Sequence, residues 1–308
     1  MKYINVLSVI AFLVFSTQVL FSQGTEKRYS DGHGGIIKLP LGDISFADRI
    51  VSYKAGDPAP IPENSKVNDA LGKPDFNKER ITGFVSLGTG GELTVAFTDN
   101  ALVNIEGPDL YVFEVGKYVE ETFLYVSKNG KRWINVGKIS GGNSLIDIGD
   151  STKSGDIFTY VKLVDAATST QKGDKMWPGA DIDAIAAIGS AKQLALNSLY
   201  LFNTNESKIK PEAKKELDEI VNELKVNPAY KLVINGHTDS TGNKNLNQKL
   251  SQSRAEAIKT YFVSKLPELK NKIVTNGYED EFPISSNHTN EGREKNRRVE
   301  VFFIPVKK

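Results

Sequence analysis

The sequence predicts two successive domains of different class: an all-β antiparallel sandwich, then an α/β sandwich with two helices on a mixed four-stranded sheet. Three observations carry that expectation. From Gly24 to Gly189, short apolar runs alternate with turn signals, and no long amphipathic helix interrupts them. After Asn197 the pattern changes to strand, helix, strand, helix, strand, strand. The chain has 308 residues, enough for two substantial cores.

Composition removes several classes of function. Lys plus Arg is 39 and Asp plus Glu is 38, so no bulk charge draws the protein to nucleic acid or anionic lipid. Cysteine is absent, which removes disulfides, thiol catalysis, cysteine zinc sites and a lipidated N-terminal cysteine. Residues 1–22 run from Lys2 through an apolar stretch, Val6 to Phe15, to a more polar end at Ser22. This reads as a secretory signal peptide cleaved near Ser22 or Gln23, because a spanning helix needs about 20 apolar residues. The protein is expected to be exported.

In the region 24–189 the expected strands are Gly35–Leu39, Glu92–Thr98, Leu110–Val115, Thr122–Ser127, Arg132–Val136, Phe158–Val164 and Ile182–Ile188. Turn signals lie between them, at Asp57-Pro58, Lys73-Pro74-Asp75, Gly88–Gly91, Gly107-Pro108-Asp109 and Gly141-Gly142. Asn129-Gly130, between β-branched and aromatic flanks, predicts a two-residue hairpin turn. The runs are shorter and more continuously apolar than the roughly ten-residue alternating segments of an outer-membrane barrel.

Residues 190–197 read as a connector, and 198–308 as the second domain. Leu199-Tyr200-Leu201-Phe202 predicts a strand. A helix begins at Pro211, where proline costs little, with Ala213, Leu217, Ile220, Val221 and Leu224 on one face, and ends at Asn227-Pro228. A strand at 230–235, a helix at 244–265, a strand at 272–278 and a last strand from Arg298 to Ile304 follow.

The helix at 244–265 holds the strongest functional clue. Leu246, Leu250, Ala257, Ile258 and Tyr261 recur at spacings of three and four, so they share a face. Arg254 falls inside that stripe. A guanidinium cannot be neutralised, and burying it unpaired is costly. Either a carboxylate of this chain meets it, with Asp239 the candidate for an internal salt bridge, or an anionic ligand does.

The same stretch carries a resemblance. Gly236-His237-Thr238-Asp239, Asn247, Leu250-Ser251-x-x-Arg254-Ala255 and Gly292-Arg293-x-x-Asn296-Arg297-Arg298-Val299-Glu300 resemble the C-terminal domain of the outer membrane protein A family, over residues 195–306. The resemblance implies non-covalent binding of peptidoglycan through its diaminopimelate stem, and a place in the periplasm beside the cell wall and outer membrane. Asp239 would take the ammonium of diaminopimelate and Arg254 its carboxylate. Asn205, Thr238 and Asn247 match family contact positions, and Arg297 stands at the rim or holds the last strand. The family often has Asp where this chain has Asn203.

The first domain resembles jelly-roll modules of bacterial surface proteins, through Ala70-Leu71-Gly72-x-Pro74-Asp75, Val85-Ser86-Leu87-Gly88-x-Gly90-Gly91 and Asp181-Ile182-Asp183-Ala184-Ile185. Asp165, Asp174, Asp181 and Asp183 gather near its end and are candidate calcium ligands, though not at EF-hand spacing. Trp133 and Trp177 are candidate sugar-stacking residues or core. Only His33, His237 and His288 are available as histidines, with no His-Glu-x-x-His motif and no Gly-x-Ser-x-Gly elbow, so the expectation is a protein without catalysis. Two readings result. The first is a peptidoglycan tether whose N-terminal domain meets another envelope protein or a glycan. The second is a carbohydrate- or calcium-dependent adhesion module, with the wall-binding domain only its anchor.

Overall fold

The computed structural model describes residues 26–116, 119–141, 144–167, 177–226 and 229–306. The predicted leader at 1–22, Asp174, Gly142 and Asn227-Pro228 lie outside the described residues. In chain order the strands of the first half are β1 (Lys27–Ser30), β2 (Ile36–Leu39), β3 (Arg49–Lys54), β4 (Val85–Ser86), β5 (Glu92–Ala96), β6 (Asn100–Val103) and β7 (Leu110–Glu114). Then come β8 (Thr122–Ser127), β9 (Ile134–Ile139), β10 (Leu145–Ile146), β11 (Ile157–Phe158), β12 (Tyr160–Asp165) and β13 (Asp181–Ala187). The remainder holds β14 (Ser190–Asn197), α1 (Ser198–Leu201), α2 (Lys214–Val226), β15 (Tyr230–Gly236), α3 (Lys244–Lys265), β16 (Ile273–Gly277), α4 (Asn290–Asn296) and β17 (Arg298–Pro305).

Two antiparallel sheets, ordered β3-β5-β12-β8-β9 and β10-β7-β13-β4, make the body of the first half. Both contribute to one apolar cluster: Leu93, Val95, Leu124 and Val161 from the first sheet, Leu110, Val112, Ile182 and Ile185 from the second. The predicted hairpin exists between β8 and β9, but its loop runs over 128–133. Asn129 does not sit in a two-residue turn. Its Oδ1 accepts from the backbone N–H of Lys131 and Arg132, both at 3.0 Å, and so closes a longer one.

The expected connector at 190–197 is instead β14, a strand of eight residues. Its first residues pair with β6 and its later ones with β17, the two sets meeting at Lys192. The sheet of the second half is therefore not four-stranded. It has six strands, ordered β11-β6-β14-β17-β15-β16, and two of them, β11 and β6, come from the region 24–189 expected to be a separate domain. All neighbours are antiparallel except β15 and β16. Leu199-Tyr200-Leu201, expected as a strand, is the short helix α1, capped by the Asn197 side chain accepting from Leu199 N–H at 2.8 Å.

Helices α2 and α3 cover one face of the sheet. Their Leu217, Ile220, Ala255, Ile258 and Phe262 share a cluster with Leu232, Ile234, Val299, Val301 and Phe303 of the strands. The buried residues of α3 are Ser251, Arg254, Ala255, Ile258 and Phe262. That stripe is rotated from the one the apolar spacing suggested, and Leu246 is left 66% exposed. Helix α3 sits unusually close to the strands. A Cβ on Gly236 would lie 2.0 Å from the Ser251 carbonyl oxygen, and one on Gly277 would lie 2.5 Å from the Gln252 nitrogen. Both strand ends require glycine for this approach.

Candidate functional site

The site is assembled where β15 ends, α3 begins and the chain after α1 turns back. Gly236 ends β15, and His237, Thr238 and Asp239 follow in an extended segment. Thr238 N–H donates to the Glu279 carbonyl at 2.8 Å, and Asp239 Oδ1 accepts from Thr241 N–H at 2.8 Å. Asn247 orders this loop by donating to the Thr241 carbonyl at 2.9 Å and, more weakly, to that of Asp239 at 3.5 Å. Asn243 caps α3 by accepting from the N–H of Asn245 and Leu246.

Arg254 is 2% exposed. Its Nε donates to the Glu206 carbonyl at 3.0 Å and a terminal nitrogen to that of Asn203 at 3.4 Å, while its guanidinium lies 5.3 Å from the Phe202 ring centre. The two carbonyls belong to one turn, closed by Glu206 N–H donating to the Asn203 oxygen, with Asn205 in the left-handed region at φ 59°. Among the described residues no carboxylate forms an ion pair with Arg254. Burial, and then the neighbouring Arg297 charge, push its pKa down to about 10, with Asp239 partly opposing them.

Asp239 pairs instead with Arg297, which donates to Oδ2. The internal Asp239–Arg254 salt bridge weighed from the sequence is thus replaced by Asp239–Arg297, and Arg297 moves from the rim into direct contact with the acid. Burial works against ionising Asp239. The Thr241 N–H and the Arg297 guanidinium outweigh it and hold the carboxyl below its ordinary value. Two guanidinium groups and one carboxylate leave this site with one positive charge in excess. Thr238 Oγ1 and Arg297 Nε are both buried without a partner among the described residues. Asn205 is exposed on its turn, and its side chain makes no contact that carries the site.

The rest of the closing motif is scaffolding. Asn296 is fully buried. It accepts from the N–H of Ile284 and Ser285 and donates to the Ser285 carbonyl and to Asn287 Oδ1, all between 2.9 and 3.0 Å. Asn287 Oδ1 in turn accepts from Ser240 N–H at 3.4 Å, so this cluster reaches the Asp239 loop.

His237 is no partner of Asp239. It points to the opposite face of the sheet, where Nε2 contacts Glu300 Oε2 at 3.0 Å, and Arg298 Nε donates to the other Glu300 oxygen at 2.8 Å. Burial and the Arg298 charge lower the His237 pKa, so the ring is neutral and donates through Nε2. Burial disfavours the Glu300 anion, yet Arg298 and His237 overcome this and bring it to about 2. Sequence reading missed this buried triad. Its only signal was Arg298-x-Glu300, two charges on one face of an otherwise apolar strand.

Among the described residues, Asp165, Asp181 and Asp183 do not gather into an oxygen cage. Asp165 spends its carboxylate on the N–H of Gly90, Ala167 and Ala180, and Asp183 on the N–H of Asp75 and Phe76. Asp181 accepts from the Ser86 hydroxyl. These acids hold loops, and among the described residues no group of three or more His, Cys, Asp or Glu is placed to hold a metal ion. A different acid there is perturbed. Glu114 is buried, with Oε1 accepting from Glu120 N–H at 2.8 Å and Oε2 without a partner among the described residues. Burial first, then the charges of Glu120, Asp181 and Asp165, push its pKa up to about 9. Trp133 is half-buried beneath the Lys162 ammonium, 4.7 Å from its ring centre.

The site thus sets the buried Asp239 and Arg254 beside the half-buried Arg297 on a helix-backed mixed sheet. Residues 201–297 match the profile described as OmpA family, and this stretch is an OmpA family domain. Outer membrane protein A of Bordetella avium is 36% identical over 118 residues, which cover 38% of this chain and 60% of that protein. The peptidoglycan-binding protein ArfA of Mycobacterium tuberculosis is 33% identical over 147 residues, covering 44% of this chain and 45% of that one. The match thus spans about half the length of these two curated relatives. A structure of the cell wall anchor of the T6SS from Pseudomonas aeruginosa aligns over 37% of this chain and 82% of its own, at 23% identity and a TM-score of 0.35. No helix among the described residues is long and apolar enough to cross a membrane.

Proposed function

We propose that this protein is an exported, non-catalytic tether that holds to peptidoglycan by binding the diaminopimelate stem, with residues 24–189 as an interaction module for another envelope component. The supporting observation is Arg254, a buried guanidinium with two backbone carbonyls and an aromatic face but no carboxylate partner among the described residues. A buried charge left in that state has a free valence for an anion. Asp239 lies beside it, already held ionised, and can accept an ammonium while sharing Arg297. An ionised acid beside a guanidinium suits a ligand that presents an ammonium and a carboxylate together, and Thr238 Oγ1 and Arg297 Nε, unpartnered among the described residues, offer it further polar contacts. The OmpA family profile and the 33% identity to a protein named for peptidoglycan binding support the same reading.

Magnitudes fit a tether. Charge-assisted contacts of this kind contribute about 1.5–3 kcal/mol each, and association costs at least about 4 kcal/mol of lost freedom. One stem is therefore held weakly, while the wall's array of stems keeps the protein in place by rebinding. The test is sedimentation of the purified protein with sacculi of two kinds. Walls with diaminopimelate at the third stem position should retain it, and walls with lysine there, lacking the side-chain carboxylate, should not. Equal retention by both would remove the assigned role of Arg254.

A further inference from the structure

The helix-free face of the six-stranded sheet is the floor of a cavity of about 760 Å³, walled by residues of the region 24–189 and within the usual size of a ligand site. Strand register arranges its floor in three rows. Phe302, Val233 and Val274 are successive cross-strand neighbours and form an apolar row, ended by Gln193 opposite Phe302. Glu300, Asn235 and Asn276 form the polar row beside it. Arg298, His237 and Tyr278 form the third, since His237 N–H donates to the Arg298 carbonyl and Tyr278 N–H to that of Gly236. From Gln193 to Tyr278 the floor runs diagonally across three strand spacings and two rows, about 20 Å. That is the length of a short oligosaccharide.

Polar groups along that diagonal are left open by the protein itself. Asn276 Nδ2 donates to Asn235 Oδ1 at 3.0 Å. This leaves Asn235 Nδ2 as a donor and Asn276 Oδ1 as an acceptor without partners among the described residues, the complement of an amide's carbonyl and N–H. Gln193 is 9% exposed, and its Oε1 has no donor among the described residues. A ligand hydroxyl would satisfy that atom. At the other end Tyr278 is half-buried and held, stacked on His237 at 5.7 Å between ring centres and met edge-on by Phe282 at 4.6 Å. A fixed aromatic wall suits the C–H face of a sugar ring. The charges beside these groups are compensated, Glu300 by Arg298 and Asp156 by Lys128 at 2.6 Å, while Lys231 stands one row beyond the apolar one. The floor therefore favours a neutral ligand.

The geometry points to a binding site for a neutral N-acetylated oligosaccharide, with an acetamido group on the Asn235–Asn276 pair, a ring against Tyr278 and a hydroxyl on Gln193 Oε1. A peptide offers the same amide but fits less well. The backbones of β17 and β15 are spent on the sheet, so a peptide cannot add a strand there, and its backbone brings no hydroxyl to Gln193. The site lies on the face opposite α2 and α3, and it stands whether or not the stem reading holds. The experiment titrates the purified protein with fully N-acetylated chitotetraose. Cellotetraose, which has hydroxyls in place of the acetamido groups, and tetraalanine are the comparisons. Saturable one-to-one binding is expected for the acetylated chain, at least about tenfold tighter than for cellotetraose, because a hydroxyl leaves the paired asparagines half used. Asn276→Leu should weaken it by a similar factor. Gln193→Leu removes an acceptor the fold does not use, so it should leave the urea midpoint in place and weaken the saccharide about fivefold. Affinity for a soluble stem peptide should be unchanged in both variants. No saturable binding, equal binding of cellotetraose or tetraalanine, indifference to Gln193→Leu, or a matching loss of stem affinity would each overturn it.

Discussion

Arg254→Met separates a ligand-binding arginine from a structural one. In the wild type, moving the guanidinium pKa from 12.5 to about 10 works against the charged form by roughly 3 kcal/mol, at about 1.4 kcal/mol per tenfold. Its two hydrogen bonds return about 1.5–3 kcal/mol each. The carbonyls they reach belong to an exposed turn at 203–206, so water can replace the guanidinium there. Methionine fills the space above Phe202 and removes the desolvation cost. The net change in folding stability should therefore stay within about 2 kcal/mol, read by urea denaturation. Affinity for diaminopimelate stems should fall by the lost charge-assisted contact, about 1.5–3 kcal/mol or roughly 10- to 150-fold, read by calorimetry with a soluble stem peptide. A stability loss above about 4 kcal/mol with stem affinity unchanged would refute the reasoning, since that is the signature of a buried pair broken inside the protein.

Four further outcomes are expected. Gly236→Ala drives a Cβ into the Ser251 carbonyl and should cost roughly 2–4 kcal/mol in the same denaturation assay; a neutral result would mean α3 can shift off the sheet. Asn296→Leu unmakes the four hydrogen bonds of a buried side chain and should cost about 2–4 kcal/mol, with stem affinity falling because the loop at 284–287 no longer supports Ser240. Acidification should weaken the second half in two stages. Its folded His237 and Glu300 pKa values both lie below the unfolded ones, so the unfolded chain binds more protons, first below about 6.5 and then between about 4.5 and 2; hydrogen exchange in β17 as a function of pH reads this out, and flat protection would reject it. Glu114 runs the other way. With its folded pKa raised to about 9, it stabilises at low pH and loses that contribution as pH rises from about 4.5 through 9. Glu114→Gln should therefore stabilise the protein by about 2–3 kcal/mol at neutral pH; destabilisation, together with calcium-dependent melting of the wild type only, would mean the carboxylate serves a cation.

The extents of α3 and β17 were legible because each advertises itself locally. Helix α3 has its predicted bounds of 244–265, and β17 runs one residue past its predicted end. The role of β14 was not legible. Ser190–Asn197 has no Gly or Pro to mark a break and too little apolar periodicity to mark a strand, and it becomes one because both neighbours already present open edges. Likewise Leu199-Tyr200-Leu201 has strand composition, but the Asn197 cap and the geometry at the end of β14 turn it into helix.

The sequence alone determined that an arginine lies in the buried stripe of a helix and that an acid follows the preceding strand, because period and turn chemistry are local properties. It determined the run from the helix before β15 through α3 to β16 for the same reason. Only the tertiary structure decided who meets whom. Asp239 was given to Arg297 rather than Arg254, His237 was sent to the far face with Glu300 and Arg298, and two strands of the first half were joined to the sheet of the second. Those are choices among long-range partners of equal local merit, and packing, not pattern, selects between them.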